Sequence, residues 1–429
     1  MKKINVGVIG LGTIGSGVVK ALRDKRALIA QRSGVDVHLV MVSDVRRAQG
    51  AKLGLPATMF TANPQEIIRN EKIDCVVELI GGHHPAKELI LQALRNGKHV
   101  VTANKALLAG DIAEILSVAV KSGRQLKFEA SVGGGIPIIK ALQEGLVANR
   151  VDSLFGIING TSNYLLSKMS QASLSFAEAL SLAKKKGYAE RRPRFDVEGI
   201  DAAHKLVILC YLLFSKLVPL EAVIREGIAD ISEMDVRYAE EMGLVIKPLA
   251  IAKKDHDHLE VRVHATMLPK AHPLAVVNGV FNAILLKGDM VGDMLFYGRG
   301  AGQSPTASAV ISDIVDLGRG DSLEEGNRHV KAEARVKKIR RADEIQSRYY
   351  LRFMAIDKPG ILARISGILG KNHIGIAQVS QKERKRAKFV PVVMITHHVL
   401  EKNLKRALEH IDRLAIVKGK TIKIRMEGF

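Results

Sequence analysis

The sequence has little cysteine and few aromatic residues. Its two cysteines, Cys75 and Cys210, stand in separate apolar surroundings, so we expect neither a disulfide framework nor a thiolate metal site. Aromatic residues make up only 4% of the chain, and no helix-turn-helix, zinc-finger or RNA-recognition signature accompanies the formal net charge of +21. The positive charge therefore predicts a solvated surface and anionic cofactors rather than a nucleic-acid partner.

Long hydrophobic runs are also missing. No apolar segment approaches the roughly 20 residues that cross a bilayer, and the N-terminal MKKINVGVIG has no small-residue cleavage site after its charged start. We therefore expect a cytoplasmic protein without a membrane partner. What is present, 429 residues of which 47% are hydrophobic and 25% charged, is typical of two or three folded domains.

The first motif is a glycine-rich turn between a strand and a helix. The β-branched run of residues 4–9 predicts a buried strand, GLGTIG follows it, and a helical pattern comes next. Glycines at this spacing allow a tight turn and close approach of the backbone to a pyrophosphate, which the helix N-terminus attracts. In this setting the motif predicts a dinucleotide site at Gly10, Leu11, Gly12, Thr13, Ile14 and Gly15.

Asp44 lies at the end of the second predicted strand. An acid at this point commonly accepts the ribose hydroxyls of NAD, whereas nearby arginines favour the extra phosphate of NADP. Arg46, Arg47 and Lys52 follow Asp44 closely. The pattern therefore leaves both NAD and NADP open as cofactors.

Strands and helices alternate to about residue 140. This alternation predicts an α/β fold with a Rossmann-type doubly wound parallel sheet, and we assign residues 1–145 to a nucleotide-binding domain. Gly81, Thr102 and Lys105 follow strands, at the edge where cofactor and substrate meet in such sheets. Lys105 heads a helix, where a cation opposes the helix dipole, so we interpret it as facing an anion or a carbonyl oxygen.

Residues 146–318 predict an α+β domain for substrate binding, catalysis and dimerisation, whose last helix returns to the Rossmann domain. Its segment GYAERRPRFDVEGIDAAHKLVIL begins as a polar loop and becomes an apolar helix. Asp201 and Lys205 stand four apart on that helix, and Glu190 and Asp196 lie upstream. This set favours binding an amino acid and moving a proton, although such spacing alone is more often a plain intrahelical ion pair.

The last part of the chain divides into a charged segment and a regular one. Residues 319–348 are polar and charged, which predicts a linker. Residues 349–429 show a β-α-β-β-α-β pattern, which predicts a ferredoxin-like module. Because this module carries no paired acid and base, we interpret it as a ligand-sensing or assembly domain.

Seven segments together resemble the homoserine dehydrogenase family, in its monofunctional form with a C-terminal regulatory ACT domain. They are GLGTIG, VTANKALLA, EASVGGGIPII, GIINGTSNY, GYAE with DVEGIDAAHK, GRGAGQSPTASAV and DKPGILARISGILG. The resemblance implies NAD(P)-dependent interconversion of L-aspartate-4-semialdehyde and L-homoserine, in the biosynthesis of threonine and methionine. It also implies a homodimer or homotetramer, and it makes threonine a candidate effector at the ACT domain.

The resemblance further implies roles for individual residues. Lys205 would donate a proton to the developing alkoxide, with Lys105 as a second catalytic lysine. The substrate-binding positions would be Glu190, Asp201, Thr161, Tyr188 and Asp196. Cofactor contacts beyond the glycine-rich turn and Asp44 would be Gly81, Thr102, Lys105, Gly187, Glu190 and Gly302. A monovalent cation, sodium, would be held largely by backbone carbonyls at Glu129, Val132, Gly134 and Ile136.

Two departures from the family pattern bear on these expectations. Arg192 stands where the family usually has an aspartate before the proline, and Arg191 and Arg194 flank it, which reduces the acidic character of the loop. Ser43 replaces an arginine that often precedes Asp44 in the family, which argues against a strong preference for NADP.

Other functions fit the chain less well. An aspartate-semialdehyde dehydrogenase needs a nucleophilic cysteine, and neither cysteine has such a setting. A catalytically silent amino-acid sensor would not need Lys105, Glu190, Asp201 and Lys205 together. An aspartokinase fusion is not expected, since no kinase segment precedes residue 1. The sequence leaves open whether threonine inhibits.

Overall fold

The computed structural model describes residues 1–190, 192–320, 336–381 and 389–428. Arg191, most of the predicted linker (residues 321–335) and the run KERKRAK lie outside the described residues. The described chain forms two compact units, each assembled from three segments. The first contains Met1–Ser153, Ala203–Glu221 and Phe281–Lys337; the second contains Leu154–Ala202, Ala222–Val280 and Lys338–Phe429. Because these segments are not contiguous, the domain limits given above stay predictions.

The first third of the chain alternates strands and helices. In order, they are β1 (Lys2–Ile9), α1 (Thr13–Asp24), α2 (Arg26–Ser33), β2 (Val35–Ser43), α3 (Arg47–Lys52), β3 (Phe60–Thr61), α4 (Pro64–Arg69), β4 (Cys75–Glu78), α5 (Ala86–Arg95), β5 (His99–Thr102), α6 (Lys105–Lys121), β6 (Leu126–Lys127) and α7 (Ile138–Lys140). The strands form one parallel sheet in the order β3-β2-β1-β4-β5-β6. The order changes direction at β1, so the turn after β1 opens at the crevice where such sheets bind dinucleotides.

The middle of the chain mixes helices with longer strands. In order, they are β7 (Val151–Ile157), α8 (Gly160–Gln171), α9 (Phe176–Lys185), α10 (Arg194–Val197), α11 (Ile200–Phe214), β8 (Ile224–Arg225), α12 (Glu233–Glu241), β9 (Leu244–Asp255), β10 (His258–Pro269), β11 (Phe281–Gly288), β12 (Gly292–Arg299) and α13 (Gln303–Arg319). Helix α13 packs tightly in the first unit: a Cβ on Gly17 would lie 2.6 Å from Gln303 Cγ, and one on Gly318 would lie 2.4 Å from Val35 Cγ1.

The C-terminal segment contains β13 (Lys338–Ile339), β14 (Gln346–Ile356), α14 (Ile361–Lys371), β15 (Ile376–Gln381), β16 (Phe389–Thr396), β17 (Val399–Leu400), α15 (Glu401–Asp412) and β18 (Ile422–Met426). The strands β18-β14-β16-β15 lie side by side in that order, with both helices supplied by the same segment. The predicted ferredoxin-like module is confirmed.

This module shares its sheet with the middle of the chain. The antiparallel hairpin β9–β10 pairs along its whole length, and β18 lies parallel to β10, with Thr266 opposite Arg425. A buried ion pair adds a second connection, because Arg352 on β14 donates to both carboxylate oxygens of Asp235 on α12, at 2.6 and 3.0 Å. Within the second unit, the hairpin β9–β10 and the ACT strands therefore belong to one continuous sheet.

Among the described residues, no helix combines the length and the apolar character that crossing a membrane would require.

Candidate functional site

The glycine-rich turn has the geometry that a pyrophosphate site requires. Gly10 has φ +100°, and a Cβ there would lie 2.8 Å from the carbonyl carbon of Leu79. A Cβ on Gly15 would lie 1.9 Å from the carbonyl oxygen of Gly10, so only glycine allows α1 to begin this close to the turn. Gly12 precedes α1 with no side-chain cap, and no heavy atom lies within 4 Å of its Cβ position. The backbone is open to an anion there.

Asp44 is bound to the same turn. Its Oδ2 accepts a hydrogen bond of 2.7 Å from the backbone N–H of Leu11, and its Oδ1 accepts one of 2.8 Å from the N–H of Arg46. The Arg46 guanidinium contacts both carboxylate oxygens, at 3.1 and 3.3 Å. Burial alone would raise the pKa of Asp44, but the bonds from Arg46 and Leu11 outweigh burial and lower it. The carboxylate is therefore ionised and already compensated by an arginine.

A buried carboxylate that the sequence reasoning missed connects the next two strand ends. Glu78 Oε1 accepts hydrogen bonds from the N–H groups of Ile80 (2.7 Å) and Gly81 (3.2 Å), while its Oε2 accepts one from Thr102 Oγ1 (2.7 Å). Thr102 Oγ1 in turn accepts from Asn104 N. Two predicted cofactor positions, Gly81 and Thr102, are thus brought together. The only sequence signal was an acid ending an apolar strand.

Lys105 is placed by its neighbour. Asn104 caps α6 by accepting from the N–H of Leu107, and its amide donates to the carbonyl of Gly82 at 2.7 Å. Lys105 is therefore the first residue of α6 and half-buried.

Gly302 precedes α13 with φ +113°, and the next residue, Gln303, donates to the carbonyl of Thr13 in the glycine-rich turn.

In the second unit, Asn159 joins two of the predicted substrate residues. Its side-chain amide donates to Asp196 Oδ1 at 2.7 Å and to Asp201 Oδ2 at 2.9 Å. Its Oδ1 caps α8 by accepting from the N–H of Ser162, whose hydroxyl donates to the carbonyl of Asp196. The sequence reasoning missed Asn159, although an asparagine before a helical run is a usual N-cap signal.

Two further substrate positions also meet. Thr161 Oγ1 donates to the carbonyl of Tyr188 at 2.7 Å, and the Tyr188 ring packs edge-on against Tyr164 at 5.1 Å. Gly187, with φ +72°, begins this segment, and Glu190 is exposed within it. The role of Glu190 in substrate binding stays a prediction.

Asp201 and Lys205 lie one turn apart on α11 and are both buried, with 7% of each residue exposed. A buried lysine and a buried carboxylate in a mainly apolar helix are costly unless polar groups compensate them. This burial separates them from the ordinary surface ion pair that the spacing alone would allow. Lys105 and Lys205 both belong to the first unit, and their catalytic roles stay predictions.

The predicted cation positions lie in a tight turn. Glu129 is buried, and its carboxylate accepts from the N–H groups of Ile139 (2.9 Å) and Lys140 (2.7 Å). Burial raises its pKa to about 7 despite these bonds. The turn contains two left-handed glycines, Gly133 and Gly134. Its carbonyl and carboxylate oxygens are the hard donors that a sodium ion takes.

The described residues show neither cysteine chemistry nor a side-chain metal cluster. Cys75 and Cys210 are both buried, and burial raises the pKa of each thiol, so neither is a nucleophile near neutral pH. Within the described ranges, no group of three or more His, Cys, Asp and Glu side chains is arranged to hold a metal ion.

Family models match most of the chain. The model for the NAD-binding domain of homoserine dehydrogenase matches residues 10–129, the homoserine dehydrogenase model matches residues 137–315, and the ACT domain model matches residues 349–415. The chain belongs to the homoserine dehydrogenase family. The predicted family and fold class are confirmed. So is the prediction of an NAD(P)-dependent oxidoreductase acting on a CH–OH group.

Known homoserine dehydrogenases resemble the chain over its whole length. The enzyme of Neisseria gonorrhoeae is 42% identical, covering 100% of this chain and 99% of that protein, and the Helicobacter pylori enzyme is 41% identical with 100% of both covered. The crystal structure of a homoserine dehydrogenase from Thiobacillus denitrificans superposes with a TM-score of 0.91 at 44% identity, covering 100% of this chain and 99% of that one.

Proposed function

We propose that the chain interconverts L-homoserine and L-aspartate-4-semialdehyde with NAD(P), in the biosynthesis of threonine and methionine. The observation that carries this proposal is the polar cluster at the start of α11. Asn159 holds the carboxylates of Asp196 and Asp201, and the buried Lys205 follows Asp201 one turn later. Homoserine is an amino acid with a hydroxyl group, so it needs carboxylates for its ammonium group and an acid–base residue for its hydroxyl.

The side chains divide the chemical work. The open glycine-rich turn would hold the pyrophosphate of NAD(P), and the bound cofactor would supply or accept the hydride. Lys205 donates a proton to the alkoxide oxygen when the aldehyde is reduced and accepts it when homoserine is oxidised. Lys105, at the start of α6, stabilises the negative charge on the same oxygen. Asp201 and Glu190 bind the substrate ammonium group, and Thr161, Tyr188 and Asp196 shape that side of the site.

One arginine of the loop that precedes Asp196, Arg194, is compensated by a carboxylate. Arg194 Nε lies 3.0 Å from both carboxylate oxygens of Glu198, one turn further on. This pairing reduces the positive charge presented to an ammonium group. It supports amino-acid binding in spite of the loop's departure from the family pattern.

A direct assay tests the proposal. Purified protein is mixed with homoserine and either NAD or NADP, and the increase in absorbance at the wavelength of the reduced cofactor is followed. Homoserine-dependent reduction is the expected result. Serine and threonine serve as controls because they carry a hydroxyl on a shorter or branched side chain, and equal rates with them would contradict the assignment.

Asp44 offers a test of cofactor preference. Asp44→Ser frees the Arg46 guanidinium and removes a negative charge beside the adenosine ribose position, so kcat/KM for NADP relative to NAD is expected to rise about tenfold. Steady-state kinetics with both cofactors measures this ratio. Asp36→Ser is the matched control, since Asp36 lies on β2, the strand that Asp44 follows, and is paired to the exposed Arg26. An unchanged ratio in Asp44→Ser would rule out this role.

We also propose that a sodium ion binds the turn that contains Glu129, Val132, Gly134 and Ile136. Thermal unfolding in sodium chloride is then expected about 2–4 °C above unfolding in choline chloride at equal ionic strength, because a ligand that binds only the folded state stabilises it. Glu129→Gln should abolish the difference. Glu144→Gln, which changes an exposed carboxylate that lines a small cavity together with Glu129, should retain it. Identical melting of wild-type protein in both salts would refute the site.

The proposed oligomer rests on an exposed apolar surface. Hairpin β11–β12 presents Met290, Val291, Leu295 and Tyr297 to solvent, a row of large apolar side chains that a homodimer or homotetramer would cover. The ACT domain is the proposed site of threonine regulation, and the cytoplasm is the proposed location. Light scattering reports the oligomeric state, and the homoserine assay with added threonine reports inhibition.

A further inference from the structure

A buried arginine of the C-terminal strand lies between two carboxylates. Arg425 on β18 is 1% exposed. Its guanidinium donates to Glu226 at 2.7 and 3.2 Å, and to Glu401 at distances from 2.5 to 3.2 Å. Glu401 is the first residue of α15, whereas Glu226 follows β8 in the middle of the chain. Arg425 therefore connects the ACT domain to a segment of the substrate-binding half.

The charges around Arg425 balance. Lys423, two residues earlier on β18, lies 3.1 Å from Glu226 and 2.6 Å from Glu401. Burial raises the pKa values of both glutamates, but the positive charges of Arg425 and Lys423 outweigh burial and lower them. Two cations and two carboxylates thus form one ionised group, in which loss of one member leaves the others uncompensated.

Glu226 belongs to a short segment, residues 224–228, which we call the clamp segment. It pairs with β10 through β8, and the N–H of Glu226 donates to the carbonyl of Val263 at 2.9 Å. On its other side, the N–H of Ile228 donates to the carbonyl of Val197 at 3.0 Å. A Cβ on Gly227 would lie 3.1 Å from that same carbonyl oxygen, so the two backbones are in close contact.

Val197 lies within the segment that carries the proposed substrate carboxylates, residues 196–201, which we call the substrate turn. Asn159 and Ser162 hold one side of this turn through Asp196 and Asp201. The clamp segment holds the other side. Gly199, with φ +73°, fits closely here, since a Cβ would lie 2.8 Å from Val263.

A small cavity separates the two sides of this arrangement. It has a volume of about 20 Å³, and its lining includes Asn159, Asp196, Gly199, Glu226 and His264. This volume holds about one water molecule and is too small for an amino acid. The cavity is therefore not a ligand site.

We propose that Arg425 is a positioning residue for the dehydrogenase reaction: through Glu226 it fixes the clamp segment, and the clamp segment fixes the substrate turn against Asn159. The C-terminal strand of the ACT domain thereby sets the affinity of the site for homoserine. The inference rests on the proposed substrate role of Asp196 and Asp201. A displacement of a binding group by less than 1 Å is enough to weaken binding without removing any contact to the cofactor.

Kinetics of Arg425→Gln in the whole 429-residue chain test this inference. The KM for homoserine is expected to rise about tenfold, while kcat changes less than about threefold and the KM for NAD(P) stays within about twofold. Arg425→Lys keeps the charge but loses the two-pronged contact, so its KM should lie between those of the wild type and Arg425→Gln.

The matched control is Arg352→Gln. Arg352 is another buried arginine of the ACT domain that binds a carboxylate of the middle segment, but its partners, Asp235 and Ser232, belong to α12. Arg352→Gln should lower the melting temperature about as much as Arg425→Gln does, and it should leave the KM for homoserine unchanged. An equal rise of KM in both variants, or no rise in Arg425→Gln, would overturn the proposal.

Two further variants keep the result interpretable. If Arg425→Gln fails to fold, Glu226→Gln replaces it as the test, because it removes only the partly exposed charge of the Arg425–Glu226 pair. The KM of Glu226→Gln for homoserine should rise about threefold. An unchanged KM in this variant would contradict the inference. Asp201→Asn separates this inference from the proposed function. A normal KM in Asp201→Asn refutes the substrate site itself, whereas a raised KM there and a normal one in Arg425→Gln refutes only the positioning role.

Discussion

Lys205→Ala is expected to lower kcat about 10²- to 10⁴-fold in both directions of the reaction, the range that a single acid–base residue contributes. The hydride transfer leaves negative charge on the substrate oxygen, and the ammonium group of Lys205 is the proposed proton source for that oxygen. Lys205 lies in the buried part of α11, where water is a poor substitute. Stopped-flow or steady-state kinetics of homoserine oxidation measure this change in kcat.

Cofactor binding separates this effect from unfolding. Lys205→Ala should still bind reduced cofactor, as measured by its fluorescence, and should melt near the wild-type temperature. Lys216→Ala is the control. Lys216 follows the end of the same helix, and its ammonium group donates to the backbone carbonyl of Lys337. Near-normal turnover in Lys205→Ala would exclude it as the proton donor.

Asp201→Asn is expected to raise the KM for homoserine about 100-fold, since a charge-assisted hydrogen bond to an ammonium group contributes roughly 1.5–3 kcal/mol. The substitution keeps the shape of the side chain and removes its charge. It also replaces an acceptor of the Asn159 amide with a group that must turn its oxygen toward Asn159 to keep that bond. Steady-state kinetics with varied homoserine at saturating cofactor measures the change.

Asp230→Asn supplies the comparison, because Asp230 is an exposed carboxylate of the same unit. Its KM for homoserine should stay within about twofold of the wild type. The same comparison can be made with a shorter amino alcohol that lacks the carboxyl group of homoserine. For this substrate, Asp201→Asn should change KM more than kcat, as expected for a residue that binds the ammonium group. An unchanged KM in Asp201→Asn would remove Asp201 from the substrate site.

The features that could be predicted are those that depend on neighbouring residues. A glycine-rich turn between an apolar strand and a helix specifies its own geometry, because Gly10 must take φ +100° and Gly15 must leave room for the carbonyl of Gly10. The β-α-β-β-α-β pattern of the C-terminal segment was readable for the same reason. Seven motifs in a fixed order then indicated the family.

The features that were missed depend on residues far apart in the chain. Asn159 binds Asp196 and Asp201, which lie 37 and 42 positions away, and Arg425 binds Glu226, which lies 199 positions away. Glu78 has the pattern of an ordinary residue at a strand end, and only the folded chain brings Gly81 and Thr102 to its carboxylate. No local periodicity encodes such partners.

The sequence by itself thus determined the fold class, the cofactor turn and the family, because local backbone preferences and hydrophobic patterns are written in short segments. It also indicated Asp201 and Lys205, but it could not separate a substrate site from a surface ion pair. Tertiary structure excluded the surface ion pair by burying both residues, and it brought Asn159 to Asp201, while the substrate roles of Asp201 and Lys205 stay predictions. It also placed β18 beside β10, since the pairing of distant strands is set by packing of the whole sheet and not by either strand alone.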